Sequence, residues 1–469
     1  MNLPLSDRRT SLVPQNNSCI TTRRLLSGLL LAVALPQSSA AQAKLPGPVP
    51  IEQYKLPNGL EVILSPDHNA QVVAVSMWYD VGVRDEGPKQ AGYAHLAENL
   101  MFDGSANVQP GSHLRMVSQV GGDASSDTED DITRFYEVLP SNQLALGLWL
   151  EADRLRSLTL NDTAVIVERK VMRDERRYRV DGQAYAGPFL VGTEALFDST
   201  TCYGYAHAPL PPSGTLDSAT VATVKPFFSS YYTPRNARLT LTGDFDPAKA
   251  KDLITTYYGD IPGGAERPKF SCTAGTGAAG TRKEIKDEAA QLGGAGLFFR
   301  VPAHDHADTP ALELLGLILG QGQRSRLALA LSGEANLVAG IQADLVSRRR
   351  GPSVFAVFAV ANTGVNGDSL AAQLKAQTAA IADKGVTDQE LARAKNYFLA
   401  GAVNSRQRVQ DIAEALQHAA TFLGSADAVN KDVGRYMAVT ADDVKRVAAR
   451  YLTPQNGLTL IVQPGRASS

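Results

Sequence analysis

The chain has 469 residues, 44% of them hydrophobic and 20% charged, with 46 Lys and Arg set against 48 Asp and Glu. That length exceeds one ordinary hydrophobic core and suits two large domains. A formal charge of −2 gives no electrostatic pull toward nucleic acid or an anionic membrane surface, so neither is expected as a partner.

The first segment reads as a targeting signal. Arg23 and Arg24 precede an apolar run over 25–35, and small residues follow at Ser38, Ser39, Ala40 and Ala41. This is the order of a secretory signal over 1–43, and the run is too short for a stable membrane span. The mature protein is then expected in the periplasm or outside the cell. The export route stays open, because Ser27 and Gly28 fit a twin-arginine signal poorly. Cys19 falls within the signal, leaving Cys202 and Cys272 as two free thiols or one bridge.

Asn58-Gly59 forms a turn before a strand at 60–64, and a second β-branched run covers 72–79. A helical stretch then places His95 and Glu98 on one face, with Asn99 one turn after His95. Gly121-Gly122 leads into a polar strand through Ser125, Ser126 and Thr128. Helices are predicted over 142–155 and 162–179, the latter holding Glu168 and Glu175 seven positions apart and so on one face. Residues 263–280, rich in Gly, Ala, Thr and Pro, read as a linker between domains at 44–262 and 281–469. The second domain is expected to hold helices at 368–384 and 388–403.

An internal repeat relates the halves. Val224-Lys225 and Thr233-Pro234-Arg235-Asn236 recur as Val444-Lys445 and Thr453-Pro454-Gln455-Asn456, each followed by a β-prone Leu-Thr-Leu. In both copies a helix stops before a Pro turn and a strand follows. The separation is too long for a solenoid, so two duplicated α+β sandwich domains are expected, each a mostly antiparallel sheet with helices packed on one face.

His95-x-x-Glu98 with its flanking Gly92, Ala94, Met101, Phe102 and Gly104 resembles the inverted zinc motif of the pitrilysin/insulinase peptidases. That family includes the mitochondrial processing peptidases and non-catalytic relatives. The likeness extends to Gly121-Gly122 with its following strand, to Glu168 and Glu175, to Ser325-Arg326-Leu327, and to the stretch from Gly385 through Glu390 to Lys395. The resemblance implies zinc held by His95, Glu175 and the residue at 99, with Glu98 as general base and Glu168 as a supporting acid. It also implies that a peptide lies against the strand at Ser125, Ser126 and Thr128, where the family has Asn-Ala in place of Ser125-Ser126.

Asn99 departs from the pattern, which has a second His there. An amide oxygen is a poorer zinc ligand than imidazole, so the implied site is weakened. Bacterial relatives of this size often pair a zinc-carrying subunit with one that grips substrate through an Arg and a Tyr. The corresponding stretch here, 353–366, contains neither residue. The chain thus resembles the zinc-carrying member of such a pair, acting on peptides or unfolded segments beside a related subunit. The alternative is a non-catalytic peptide-binding or scaffolding partner of an active sister.

The residues alone leave rivals open. His95 could be a structural core histidine and Glu98 an ordinary helical glutamate. Glu175 could pair with Arg179 one turn on. Segment 121–128 could be a plain turn and edge strand. His304-Asp305-His306 looks like a metal cluster but sits in an expected polar loop. His113 and His207 lack a partner at ligand spacing, and no phosphate loop or Ser/His/Asp signature is present.

Overall fold

Two sheets absorb the strand-like runs. The computed structural model describes residues 47–465 apart from 213, 215, 271 and 273–276, so the expected signal at 1–43 lies outside the described residues. The first sheet contains β1 (Glu52–Lys55), β2 (Glu61–Pro66), β3 (Val72–Tyr79), β4 (Asp123–Thr128), β5 (Thr133–Pro140) and β6 (Ala237–Gly243). Its order is β1-β2-β6-β3-β5-β4, which leaves β4 at one edge. The second contains β7 (Arg282–Asp287), β8 (Gly294–Val301), β9 (Val338–Val346), β10 (Ser353–Ala361) and β11 (Gly457–Pro464), in the order β7-β11-β8-β10-β9. Only β2–β6 and β7–β11 pair in parallel. The two orders superimpose element for element once β1 is set aside, as the repeat requires.

The repeated Asn has an identifiable task. Asn236 Nδ2 donates to the carbonyls of Tyr231 and Asp80, and Asn456 Nδ2 donates to those of Tyr451 and Arg300. In each half the side chain ties the end of a helix to the neighbouring strand, satisfying carbonyls that the Pro turn would otherwise orphan.

The first half holds seven α-helices: α1 (Tyr93–Leu100), α2 (Ser112–Gln119), α3 (Leu144–Ser157), α4 (Asp162–Arg176), α5 (Ala186–Glu194), α6 (Val221–Tyr231) and α7 (Pro247–Tyr258). The second holds α8 (Thr309–Gly320), α9 (Arg326–Leu331), α10 (Gly367–Lys384), α11 (Asp388–Asn404), α12 (Val409–Phe422), α13 (Ala428–Ala438) and α14 (Ala441–Tyr451). The helix expected to reach Arg179 leaves α geometry at Arg176 and continues as a π-turn over Arg177–Asp181.

Each sheet carries its own helices on one face, and the other face is covered by the opposite half. This explains why β3 is buried almost throughout instead of alternating. α12 crosses from the second half onto β3 and β6. Leu416 and Ala420 pack on Ile63, Val409 and Ala413 on Ala74, and Phe422 on Trp78 and Ile132. Gln417 at the centre of this contact donates to the carbonyls of Ser76 and Arg238. Burying each large side chain here contributes roughly 1.5–3 kcal/mol. In return, α5 of the first half packs on β8 and β11. Gly192 permits that approach, since a Cβ there would lie 2.3 Å from the Phe298 ring.

Cys202 and Cys272 form a disulfide across 70 residues. It resolves the two readings of these cysteines in favour of the bridge and staples the interdomain segment to the first half. Closing a loop of this length restricts the unfolded chain by about 4 kcal/mol in the chain-entropy account.

Candidate functional site

The site is built where α1, α4 and the edge strand β4 meet. α1 starts at Gly92, whose φ of +89° places the chain in the left-handed region that favours glycine. The buried carboxylate of Glu86 accepts hydrogen bonds from the backbone N–H of Gly92 and Ala94, at 2.8 and 2.7 Å. A negative charge at a helix N-terminus is favourable, and here it fixes the turn that presents His95. His207 pairs with the same carboxylate at 2.8 Å.

His95 and Glu98 are both buried. His95 Nε2 lies 3.2 Å from Glu175 Oε2, whose other oxygen meets Arg179 at 2.9 Å. Burial alone would lower the His95 pKa, but the hydrogen bond to Glu175 and the charges of Glu98 and Glu175 raise it. Burial likewise opposes ionisation of Glu175, and His95 with Arg179 reverses it. The Glu175–Arg179 pair left open by the sequence is therefore present, yet Glu175 also faces the site.

Glu98 accepts hydrogen bonds from Ser126 Oγ at 2.6 Å and Thr128 Oγ1 at 2.5 Å. Burial raises its pKa against the pull of His95 and these hydroxyls. Ser126 and Thr128 reach the site together because strand side chains alternate. Ser125 falls on the opposite face of β4 and does not join them. The Asn99 side chain is hydrogen-bonded to Glu168, whose carboxyl is pushed up to about 7 by burial and by the nearby charge of Asp103.

The donor set can be compared with a zinc ion. Two ligands about 2.0–2.1 Å from a tetrahedral ion stand about 3.3 Å apart. His95 Nε2 and Glu175 Oε2, at 3.2 Å, already have that separation. Asn99 would add only an uncharged amide oxygen where a second imidazole binds more tightly, so the donor set suits at most a weakly held ion.

A second His/carboxylate group lies elsewhere. His113, Glu137 and Glu151 bring ligand atoms within 4.8 Å of one another in the core behind β5. Arg154 occupies both oxygens of Glu151, while His113 Nε2 meets Glu137 Oε1 at 2.5 Å. Burial pushes Glu137 up to about 8 and His113 down to about 3. A protonated Glu137 beside the Glu151–Arg154 pair is electrically neutral, so the cluster balances its charge without a cation, although Glu137 Oε2 and Arg154 Nη1 are left without hydrogen-bond partners among the described residues. Between pH 4.5 and 8 the folded protein holds the Glu137 proton that the unfolded chain releases, so this group's contribution to stability declines as pH rises. Glu137→Gln should remove that decline. Urea unfolding of both proteins from pH 6.5 to 9 should show the variant losing less stability, and parallel curves would contradict the assignment.

The structure brings His95, Glu98, Asn99, Glu168, Glu175, Ser126 and Thr128 together where α1, α4 and β4 meet. Sequence reading missed Glu86 and the partners of His113 and His207, which come from residues 24 to 121 positions away. His304 and His306 do not converge: His304 Nδ1 meets Ser347 Oγ, and His306 Nδ1 accepts from the Asp308 N–H.

Residues 61–184 match the family described as Insulinase (Peptidase family M16), and residues 218–398 match the Peptidase M16 inactive domain. With more than half of its length matched, the chain belongs to the insulinase, or M16, peptidase family. It is 27% identical over 455 residues to the zinc protease PqqE of Helicobacter pylori, covering 95% of this chain and 99% of that one. The crystal structure of a protease from Helicobacter pylori shares the fold with a TM-score of 0.83 at 24% identity, over 89% of this chain and 100% of the other. The periplasmic protease PqqL from Escherichia coli aligns with a TM-score of 0.70 at 19% identity, over 88% of this chain and 47% of its own. No helix among the described residues is long and apolar enough to cross a membrane.

Proposed function

We propose that this chain is an exported zinc-peptidase subunit with a weakened metal site, acting on peptides or unfolded segments beside a related subunit. The observation that carries this reading is the placement of His95 and Glu175 at ligand spacing with a buried, hydroxyl-supported Glu98 alongside. His95, Glu175 and Asn99 would hold the ion, which when bound polarises a carbonyl and acidifies a water. Glu98 is the proton acceptor, its raised pKa suited to holding and returning a proton. Glu168 supports the site through Asn99. The free edge of β4 offers backbone groups to an extended peptide, a mode of binding that makes loose sequence demands. The cystine suits an oxidising compartment, in keeping with export.

The Asn99–Glu168 hydrogen bond favours a second reading, a non-catalytic partner that keeps the peptide grip. Zinc content of the purified protein, with cleavage of an unfolded reporter, separates the two. Substoichiometric zinc that dialysis removes, with slow chelator-sensitive cleavage, is expected. A metal-free, inert protein that still binds the reporter would replace the first reading with the second.

A further inference from the structure

A cavity of about 640 Å³ opens between α8, β9, α11, α12 and α13, and its lining shares no residue with the site above. Its size lies within the range of small-molecule sites. The hollow has a sequence cause: β9, α11 and α12 line it with the small residues Ala343, Gly401, Ala402 and Ala419. At Gly401 a Cβ would meet nothing within 4 Å. The hollow opens to solvent, with Gly401 and Asp344 exposed and Tyr397 52% exposed.

Its polarity is one-sided. Glu313, Asp344 and Asp432 line it, and Arg406 is the one basic residue among them. The Arg406 guanidinium is taken up by the carbonyls of Gly47 and Val429. Asp432 is paired with Arg435 and Asp344 with Gln342. Glu313 has no ionic partner at hydrogen-bond distance: it accepts from Tyr436 Oη at 2.5 Å, and His304 stands 3.9 Å away. Burial holds His304 at about 4 and His418 at about 3, so both are neutral near pH 7 and bring no compensating charge. Burial pushes Glu313 itself up to about 7, with Asp432 adding to the rise and Tyr436 and Arg435 opposing it. Phe398, stacked on Tyr436 with ring centroids 3.6 Å apart, and Tyr397 add aromatic surface.

We infer that this cavity is a binding site for a small organic ammonium ion with an apolar body, its charge held by Glu313 and its body against Leu317, Phe398 and Val433. A carboxylate beside aromatic rings is complementary to an alkylammonium head, through charge-assisted hydrogen bonding and cation–π attraction. A neutral ligand of the same shape gains only the apolar contact. The inference uses no residue of the His95 site, so it stands or falls separately from the proposed peptidase function.

Calorimetric titration at pH 8 with hexylammonium, and with hexanol as its neutral counterpart, tests it. Hexylammonium should bind the wild type about 10-fold tighter than hexanol or better, the factor expected of one charge-assisted contact. Glu313→Gln should bring the two probes within about 3-fold. Gly401→Leu, which adds a bulky side chain to the lining at an open position, should weaken both by about 10-fold or more without lowering the melting temperature. Equal affinity for the two probes in the wild type, absence of saturable binding, or amine binding untouched by Gly401→Leu would each overturn the assignment. The first and third comparisons hold even if the Glu313 variant does not fold.

Discussion

Asn99→His should convert a weak metal site into a tight one, raising zinc affinity by roughly 100-fold or more and producing chelator-sensitive peptide cleavage. The expectation follows from what is already in place. His95 Nε2 and Glu175 Oε2 are 3.2 Å apart, so two of three ligand atoms already stand at the separation a tetrahedral ion requires. Position 99 lies one helical turn after His95, on the same face of α1. Glu168 already bonds the side chain there, and a carboxylate in that place can accept the second N–H of an introduced imidazole and fix its tautomer. Supporting contacts of that kind alone are commonly worth 10–100-fold in metal affinity, and exchange of a direct ligand from amide to imidazole should exceed them. Competition titration against a chromophoric chelator measures the first effect, and hydrolysis of an unfolded reporter the second. Glu98→Gln in the Asn99→His background should keep the zinc and lose the cleavage, because Glu98 would stand beside the bound ion as proton acceptor without ligating it. A variant that binds zinc no more tightly than wild type would mean that Glu168 and Glu175 are not poised as ligand supports, and the zinc reading would fail with it.

The parts of this site visible in the sequence are those set by local geometry. The faces of α1 and α4 follow from a 3.6-residue period, so His95, Glu98 and Asn99, and separately Glu168 and Glu175, group themselves before any fold is known. The duplicated topology is legible for a related reason: the Thr-Pro-x-Asn turn needs its Asn in both halves to satisfy a helix end. Strand phase was legible in principle too, since a period of two puts Ser126 and Thr128 on one face and excludes Ser125. What the sequence could not supply is long-range. Nothing in 409–422 says that this helix serves the other half's sheet, because an amphipathic face does not name its partner. The apolar, non-alternating run at β3 was the available hint that both of its faces are covered. Whether Cys202 and Cys272 pair, the carboxylate under α1 and the buried cluster around Glu137 likewise depend on tertiary packing.

One of these long-range devices should also be the most expensive to break. The turn between β4 and β5 meets the turn between β9 and β10, its counterpart in the repeat, tip to tip. Asp131 lies at the junction, 2% exposed. It accepts hydrogen bonds from the Arg84 guanidinium, from Tyr205 Oη at 2.8 Å and from the Arg349 N–H at 2.7 Å. Arg348 Nε meets the neighbouring Asp130 at 2.6 Å, with its guanidinium 4.5 Å over the rings of Phe197 and Tyr205. Asp131→Ala would strip the buried Arg84 of one carboxylate, leaving Asp80 and Asp85 to balance it, and would leave two further donors unmatched. Breaking one side of such a buried network costs about 3–5 kcal/mol. Asp131→Asn keeps the shape and part of the hydrogen bonding, so it should cost less, and the difference isolates the charge. Urea unfolding reads the loss, and an alanine variant within about 1 kcal/mol of wild type would show that the network is not the clamp its geometry describes. Amide exchange adds the functional half of the argument. Thr128, three residues before Asp131, holds Glu98 at 2.5 Å, and Glu98 has no other support on β4 than Thr128 and Ser126 among the described hydrogen bonds. Loosening the tip should therefore speed exchange along β4 before it does so in the central strand β3. The second half of the chain would then be seen to fix the position of Glu98 in the first half, across a junction that contains none of the residues beside His95.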